Sequence, residues 1–391
     1  MSDPLGGPVA HDVVIAGGGP VGMTLALGLA RAGLDVLVLE EDDSTTAHSR
    51  APVFWPGTQA VLATLGVFDR FAERGFRLPC PTVWDADRSA PLLALPLTEL
   101  AGETPHPSLL ILPQSETEAL LCEEIRNTVG VEIRFSSKVT GLIQDSFGVD
   151  VVYRRFDHEE RVRAKYVAGC DGAHSTVRDH IGGRLEGKTY GFKAALADIR
   201  MPGHEDLDFP RISTAPRLVM ALRLKPDLWR LVFPFSATRQ PDPAFWISQA
   251  SVALFAREPA EIVWQDDFRL HRRVSSHWVK GRIVLAGDAA HLNSPVGGEG
   301  LNAGMQDAVL LSRALQKAVA VDHPQPLVDY VTYRRRAVER GVNAFTDMLT
   351  RILLFDEGRM IRPAFALARV LFAVPAWRRR MLRRLALVEH G

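Results

Sequence analysis

Short apolar runs and segments of helical spacing alternate at the start of the chain. Asp12–Ala16 (DVVIA) is a β-branched run ending in glycines, Val21–Ala32 is apolar at helical spacing, and Asp35–Leu39 (DVLVL) is a second buried run. Strand, helix and strand in that order form a βαβ unit, which predicts a parallel sheet. Further on, Val131–Phe135 and Gly148–Tyr153 partly alternate apolar and polar positions, as a half-exposed antiparallel pair would. Between about Gly187 and Val279 the texture changes to short alternating stretches, Arg217–Leu224, Trp229–Phe235 and Phe245–Ser251. They are bounded by Pro210, Pro216, Pro226, Pro234, Pro241 and Pro243. That pattern predicts an antiparallel sheet forming a separate domain. Arg282–Ala286 then reads as another buried strand, followed by a glycine-rich turn and a helix from Leu301 to about Ala318. Residues 325–391 read as helices broken near Pro363 and Pro375.

Charge and cysteine usage narrow the class. Lys plus Arg number 46 and Asp plus Glu number 46, so no global field draws in nucleic acid. The tail is an exception, because residues 359–391 carry eight Arg against one Glu. Its basic amphipathic texture suits either a helix lying on anionic lipid or a helix capping the protein with a solvated face. Cys80, Cys122 and Cys170 are too widely spaced for a zinc site or a disulfide framework, and they suit a reducing compartment. The first ten residues lack the basic start and apolar run of a signal peptide, and no long apolar stretch predicts a membrane span. The expectation is a cytoplasmic enzyme, monomeric or homodimeric, with no metal.

Gly17-Gly18-Gly19-Pro20-Val21-Gly22 satisfies G-x-G-x-x-G between the first strand and the first helix. Gly17 permits the tight turn, Gly19 lets backbone N–H groups approach a pyrophosphate at the helix N-terminus, and Gly22 allows close helix–strand packing. Glu40 ends the second strand, where a carboxylate accepts hydrogen bonds from ribose hydroxyls. That carboxylate argues against a 2′-phosphate, so the site should hold FAD or NAD. Two further segments have the same logic. Tyr166–Arg178 places Asp171 and Gly172 at the end of a strand before a helix. Gly287–Asp307 does so with Asp288, followed by a glycine-rich helix start. An Asp at a strand end suits ribityl hydroxyls, and a helix N-terminus suits the reduced, negatively charged pyrimidine edge of a flavin.

These three segments, in this order, resemble the class A single-component flavin monooxygenases, the family of p-hydroxybenzoate hydroxylase and the phenol and polyketide hydroxylases. The resemblance spans roughly residues 10–350. It implies an α/β fold in which a Rossmann-type, glutathione-reductase-like FAD-binding domain carries an inserted α+β substrate domain on an antiparallel sheet, with C-terminal helices. The implied FAD-binding domain takes residues 10–75, 106–185 and 280–345, the substrate domain 76–105 and 186–279, and the helical segment 346–391. By resemblance, Gly17, Gly19, Pro20, Val21, Gly22 and Glu40 hold the ADP half of FAD. Asp288 binds the ribityl and pyrophosphate region, and the backbone of Gly300, Leu301 and Asn302 meets the flavin ring. Asp171-Gly172 with Arg178 supports FAD and the nicotinamide cofactor. Arg50, Gln114 and the backbone at Val139 match lesser cofactor-contacting positions.

The resemblance implies that NAD(P)H binds transiently, that O2 reacts to a flavin C4a-hydroperoxide, and that an aromatic or lipophilic substrate is hydroxylated. The peptide around Pro295 lies beside the flavin as a positional catalytic element. An epoxidase of a prenylated quinone, quinolone or isoprenoid double bond is the alternative enzyme, and a non-catalytic FAD-binding scaffold or redox sensor the alternative of another class. This chain has Gly297-Gly298-Glu299-Gly300 where the family usually reads G-G-Q-G. A carboxylate there disfavours anionic reduced flavin unless it points away or is paired. His291 and His174 read as structural, Cys170 as buried and inert. Leu218, Met220, Leu222 and Leu224 form an apolar face that either lines the pocket or covers the core, and Trp229, Phe233 and Phe235 share a face suited to stacking on a substrate.

Overall fold

The computed structural model describes residues 10–46, 51–215, 217–238, 242–354 and 359–388. The apolar runs at the start of the chain do form the predicted βαβ unit: strand His11–Ala16, helix Pro20–Ala30 and strand Val36–Leu39, all nearly solvent-free. Pro20 begins the helix, where its fixed φ and missing N–H cost nothing. The parallel part of the main sheet runs Ile283–Leu285, His158–Gly169, His11–Ala16, Val36–Leu39 and Val131–Arg134 across its width. Helices Pro20–Ala30 and Gly300–Val321 pack beneath it, and their apolar faces merge into one core with Ile15, Val38, Tyr166 and Val284.

The register of this sheet does the functional positioning. Ala16 lies opposite both Leu39 and Gly169, and Gly169 lies opposite Leu285. The four strand ends that precede the glycine turn, Glu40, Asp171 and Asp288 therefore fall in one row, at the carboxyl edge where open α/β sheets bind ligands.

Val131–Phe135 and Gly148–Tyr153 do not pair with each other. Val131–Arg134 is the parallel edge strand beside Val36–Leu39. Val149–Arg155 pairs antiparallel with Ser137–Gln144 and with His158–Gly169. Alternation reports half-burial, not the identity of the partner strand.

The second sheet has eight strands, in the order His291–Leu292, Glu261–Ser275, Leu185–Arg200, Leu228–Ser236, Val219–Arg223, Arg211–Ser213, Thr82–Asp85 and Ala90–Ala94. All its pairs are antiparallel except Arg211–Ser213 with Thr82–Asp85. Phe245–Ser251 is not one of its strands but the middle of helix Pro243–Phe255. Its buried residues, Trp246, Ile247, Ala250, Ser251, Leu254 and Phe255, recur at helical spacing, and Pro243 starts it. This helix lies on the sheet and buries a second strand face, opposite the one that carries buried Leu218 and Leu224. Val219 and Ala221 are buried, whereas Met220 and Leu222 are only half-buried. Trp229, Phe233 and Phe235 are likewise spent within the protein: Phe233 stacks on Trp246 at 5.4 Å, and Trp229 meets Phe255 edge-on at 5.0 Å.

The basic tail forms two helices, Ile361–Phe372 and Pro375–Leu385. Its arginines turn onto carboxylates of the protein body: Arg362 onto Asp85 and Asp87, Arg378 onto Glu99, and Arg379 and Arg383 onto Glu103. The contacts favour the capping role. No described helix is long and apolar enough to cross a membrane.

Candidate flavin site

The site begins at the glycine turn. Gly17 adopts φ +99°, and a Cβ there would lie 2.4 Å from the Cys170 carbonyl oxygen. A Cβ on Gly22 would lie 2.0 Å from the Gly17 carbonyl oxygen. Gly19 is different, because a Cβ there would meet nothing within 4 Å. Two glycines are thus required by the protein's own backbone, and the third keeps a space open. Pro20 and Val21 continue the turn into the helix; Val21 packs on Gly287 and Gly304, tying this turn to the third motif. Glu40 accepts from the N–H groups of Gly18 and Asp42, and burial raises its pKa against those bonds.

A cavity of about 330 Å³ opens from this turn. It is lined by Gly18, Gly19 and Glu40, by Gln114 and Glu118 of helix Gln114–Arg126, and by Phe135. Gln114 donates to Glu118 at 2.9 Å, and Glu118 also accepts from the Thr46 N–H, so the rim is fastened by side-chain bonds. Val139 is not part of that lining. Its side chain sits in the core and its backbone is in the ladder opposite Tyr153. Arg50 lies outside the described residues.

Asp171 turns both oxygens to the short helix Thr176–His180, accepting from the Ser175 hydroxyl and, at 3.0 Å, from the Val177 N–H. It therefore shapes the second motif's loop. Arg178, buried beneath, donates to the carbonyls of Ala173 and Ala289 and clamps the second motif to the third. His174 is exposed rather than packed, and it faces His271 on strand Glu261–Ser275. Burial, then Arg273, Arg269 and His174, lower the His271 pKa. Cys170 lies under the glycine turn, where burial pushes its thiol far above the ordinary range.

Asp288 stands exposed at the strand end, in the turn Gly287–Ala289. The support for this turn is a buried network that the sequence reading overlooked. Asp307, fully buried on the long helix, accepts from the Gly287 N–H at 3.0 Å and from Arg334, and His291 Nε2 lies 2.7 Å away. Arg334 also donates to the Ala303 carbonyl. Burial by itself would raise Asp307, but Arg334 and His291 hold it at about 2. His291 is accordingly structural. The clue in the sequence was the spacing from His291 to Asp307, nearly four and a half helical turns, which says nothing until the turn is known to fold back.

The long helix Gly300–Val321 has no side-chain cap at its N-terminus. Its first intrahelical bond, within the described residues, is Ala303 N–H to the Glu299 carbonyl. The N–H groups of Gly300, Leu301 and Asn302 therefore precede the ladder. The Asn302 side chain is fully engaged, accepting from Trp55 N–H and donating to the Val53 and Gly298 carbonyls. The side chain is therefore committed to the protein's own backbone. Pro295 is exposed in the loop before this helix, and its carbonyl accepts from the Gly298 N–H. The neighbouring Ser294 is buried and held by Thr350.

A glycine cradle with one open position, a carboxylate at the second strand end and an uncapped helix N-terminus fit a long dinucleotide with an anionic ring. The geometry defines a flavoprotein built on a dinucleotide fold with a second antiparallel layer. Comparison with known proteins agrees. A family model described as an FAD binding domain matches residues 10–346. The chain is 30% identical over 336 residues to para-nitrophenol 4-monooxygenase of Pseudomonas sp. (strain WBC-3), covering 83% of each. It is 32% identical over 348 residues to the 12-dehydrotetracycline 5-monooxygenase/anhydrotetracycline 6-monooxygenase of Streptomyces rimosus, covering 85% of this chain and 68% of that one. The crystal structure of p-nitrophenol 4-monooxygenase from Pseudomonas putida DLL-E4 superposes with a TM-score of 0.88 at 26% identity, covering 96% and 98% of the two chains. The chain belongs to this FAD-binding family and is an FAD-dependent aromatic monooxygenase.

The C-terminal strap is fastened to helix Pro56–Thr64 and to the long helix. Gly57 N–H donates to the Ala386 carbonyl at 2.8 Å, and Gln306 donates to the Leu387 carbonyl. A Cβ on Gly57 would lie 2.4 Å from the Leu387 oxygen. Gly57→Ala is expected to lift the strap at a cost of about 1–3 kcal/mol. The reading is faster proteolysis near residue 386 with the remaining domains protected; unchanged cleavage would contradict it.

Proposed function

We propose that this chain hydroxylates a phenolic, polyketide-like or heteroaromatic compound, with FAD laid along the row of strand ends Ala16, Leu39, Gly169 and Leu285. That row is the observation that carries the reading, because it brings four distant loops to one crevice edge. Glu40 would accept ribose hydroxyls through the lone pairs left by Gly18 and Asp42, and the backbone of Gly17–Gly19 would face the pyrophosphate. Asp288 would accept ribityl hydroxyls. The free N–H groups of Gly300, Leu301 and Asn302 would face the pyrimidine edge, where a helix terminus favours negative charge.

FAD, when bound, supplies electron transfer from NAD(P)H and activation of O2; the protein supplies orientation and exclusion of water. Arg178 and the Asp307 network keep the second and third loops in register. The loop at Pro295, fastened through Ser294 to Thr350, would hold the substrate's reacting carbon against the flavin. The guanidiniums of Arg269 and Arg273, on the same strand as His271, support the approach of the polyanionic NAD(P)H. The tail caps the protein through its ion pairs to Asp85, Glu99 and Glu103.

Purified protein should be yellow, and NAD(P)H oxidation should accelerate with an aromatic substrate whose product gains one oxygen by mass. Asp288→Ala should release FAD on gel filtration, with affinity lower by about tenfold for one lost charge-assisted hydrogen bond. Undiminished flavin content would remove Asp288 from the site.

A further inference from the structure

Glu299 is the residue of the glycine-rich segment that the cofactor geometry leaves unused. It is the N-cap of the long helix, yet its side chain caps nothing. It has no exposed surface, and neither carboxylate oxygen has a hydrogen-bond partner among the described residues. Its complement sits on the C-terminal helix. Arg384 has Nη1 and Nη2 buried and also without partners, and its guanidinium rests 5.2 Å from the Phe345 ring centroid. The two charges act on each other, but no ion pair joins them.

Apolar groups pack on the two glycines that precede Glu299. Leu349, from helix Asn343–Leu354, lies 3.5 Å from the Cβ position of Gly297, where the Glu299 Cγ also approaches to 4.0 Å. Val53 lies 3.4 Å from that of Gly298. Among the described residues, Arg384 is the charged group that bears on Glu299. A lone carboxylate in such surroundings is costly when ionised. Burial pushes Glu299 up to about 8, against the pull of Arg384.

We propose that Glu299 is a proton-dependent positioning residue for the flavin, with Arg384 as its counter-charge. Neutral, Glu299 leaves the positive field of the helix N-terminus intact. Ionised, it sets a negative charge beside that terminus and weakens the hold on the reduced, anionic flavin. This rests on the reading that FAD lies against the backbone of Gly300–Asn302.

The test measures FAD dissociation constants in the oxidised state and, under anaerobic reduction, in the reduced state, at about pH 7 and about pH 9, on either side of the Glu299 value of about 8. In the natural protein the preference for reduced over oxidised FAD should fall by roughly tenfold across that interval, the effect of a unit charge about 10 Å away at an effective dielectric near 20. Glu299→Gln, which keeps the shape, should make the preference independent of pH. Arg384→Met should move the transition to higher pH, because the group that favours the carboxylate is gone. A flat preference in the natural protein, or the same fall in Glu299→Gln, would overturn the proposal while leaving FAD binding intact. A protein that takes up no FAD in either state would overturn the functional reading itself, and this proposal with it.

Discussion

Asp307→Ala should destabilise the protein by about 3–5 kcal/mol, the range for removing one partner of a buried ion pair. Arg334 has no exposed surface, and its Nη1 already lacks a partner among the described residues. Without Asp307 it becomes an uncompensated buried cation, and the Gly287 N–H and His291 lose their acceptor together. The turn that presents Asp288 would loosen with them, so FAD retention should drop alongside the denaturation midpoint. Asp307→Asn keeps an acceptor and should cost less. The pH dependence follows from the depressed carboxylate. With its folded value held at about 2 and an ordinary value of 3.8, the stabilisation is complete above about pH 4 and disappears as pH falls toward 2. Urea unfolding of Asp307→Ala within about 1 kcal/mol of the natural protein would refute the network's role.

The second large effect separates two glycines of one motif. In Gly22→Ala the new Cβ meets the Gly17 carbonyl oxygen at 2.0 Å, and both are backbone-anchored, so the helix must move off the strand. About 3 kcal/mol of stability, the upper end of overpacking costs, should be lost with FAD binding. Gly19→Ala meets no protein atom and should leave stability within about 0.5 kcal/mol, as for an ordinary surface change. Its methyl nevertheless fills the space reserved for the cofactor, so FAD affinity should fall by about tenfold or more. Paired thermal melts and FAD titrations distinguish the two. Equal FAD affinity in Gly19→Ala and the natural protein would mean that the cofactor does not approach this turn.

Much of the site could be read without coordinates, and the reasons are local. A G-x-G-x-x-G between a strand and a helix, a Glu at the next strand end and Asp at two further strand ends are each short-range patterns whose geometry the backbone enforces. Where the reading failed, the deciding partner was remote. Phe245–Ser251 has the apolar content expected of a strand, but its buried residues recur at the helical spacing of helix Pro243–Phe255. Val131–Arg134 was paired with a neighbour in sequence when its partner is Val36–Leu39. Of the apolar face Leu218, Met220, Leu222 and Leu224, the two ends are buried and the middle pair half-buried, while helix Pro243–Phe255 buries the opposite face at Val219 and Ala221. Trp229, Phe233 and Phe235 are all consumed by protein rings.

Glu299 shows the same division in one residue. Its departure from the family's glutamine was visible in the chain, but its lack of a hydrogen-bond partner among the described residues and its electrostatic coupling to Arg384 depend on where the C-terminal helix docks. The glycine turn, the acidic strand ends and the glycine-rich helix start follow from steric and hydrogen-bonding rules that act over a few residues, so the chain alone dictates them. The alignment of Ala16, Leu39, Gly169 and Leu285 in one row follows from strand pairing across more than a hundred residues. The buried network of Asp307, His291 and Arg334 follows from a loop folding back on a helix. Both are settled by which apolar faces are buried together, and that is a property of the whole fold.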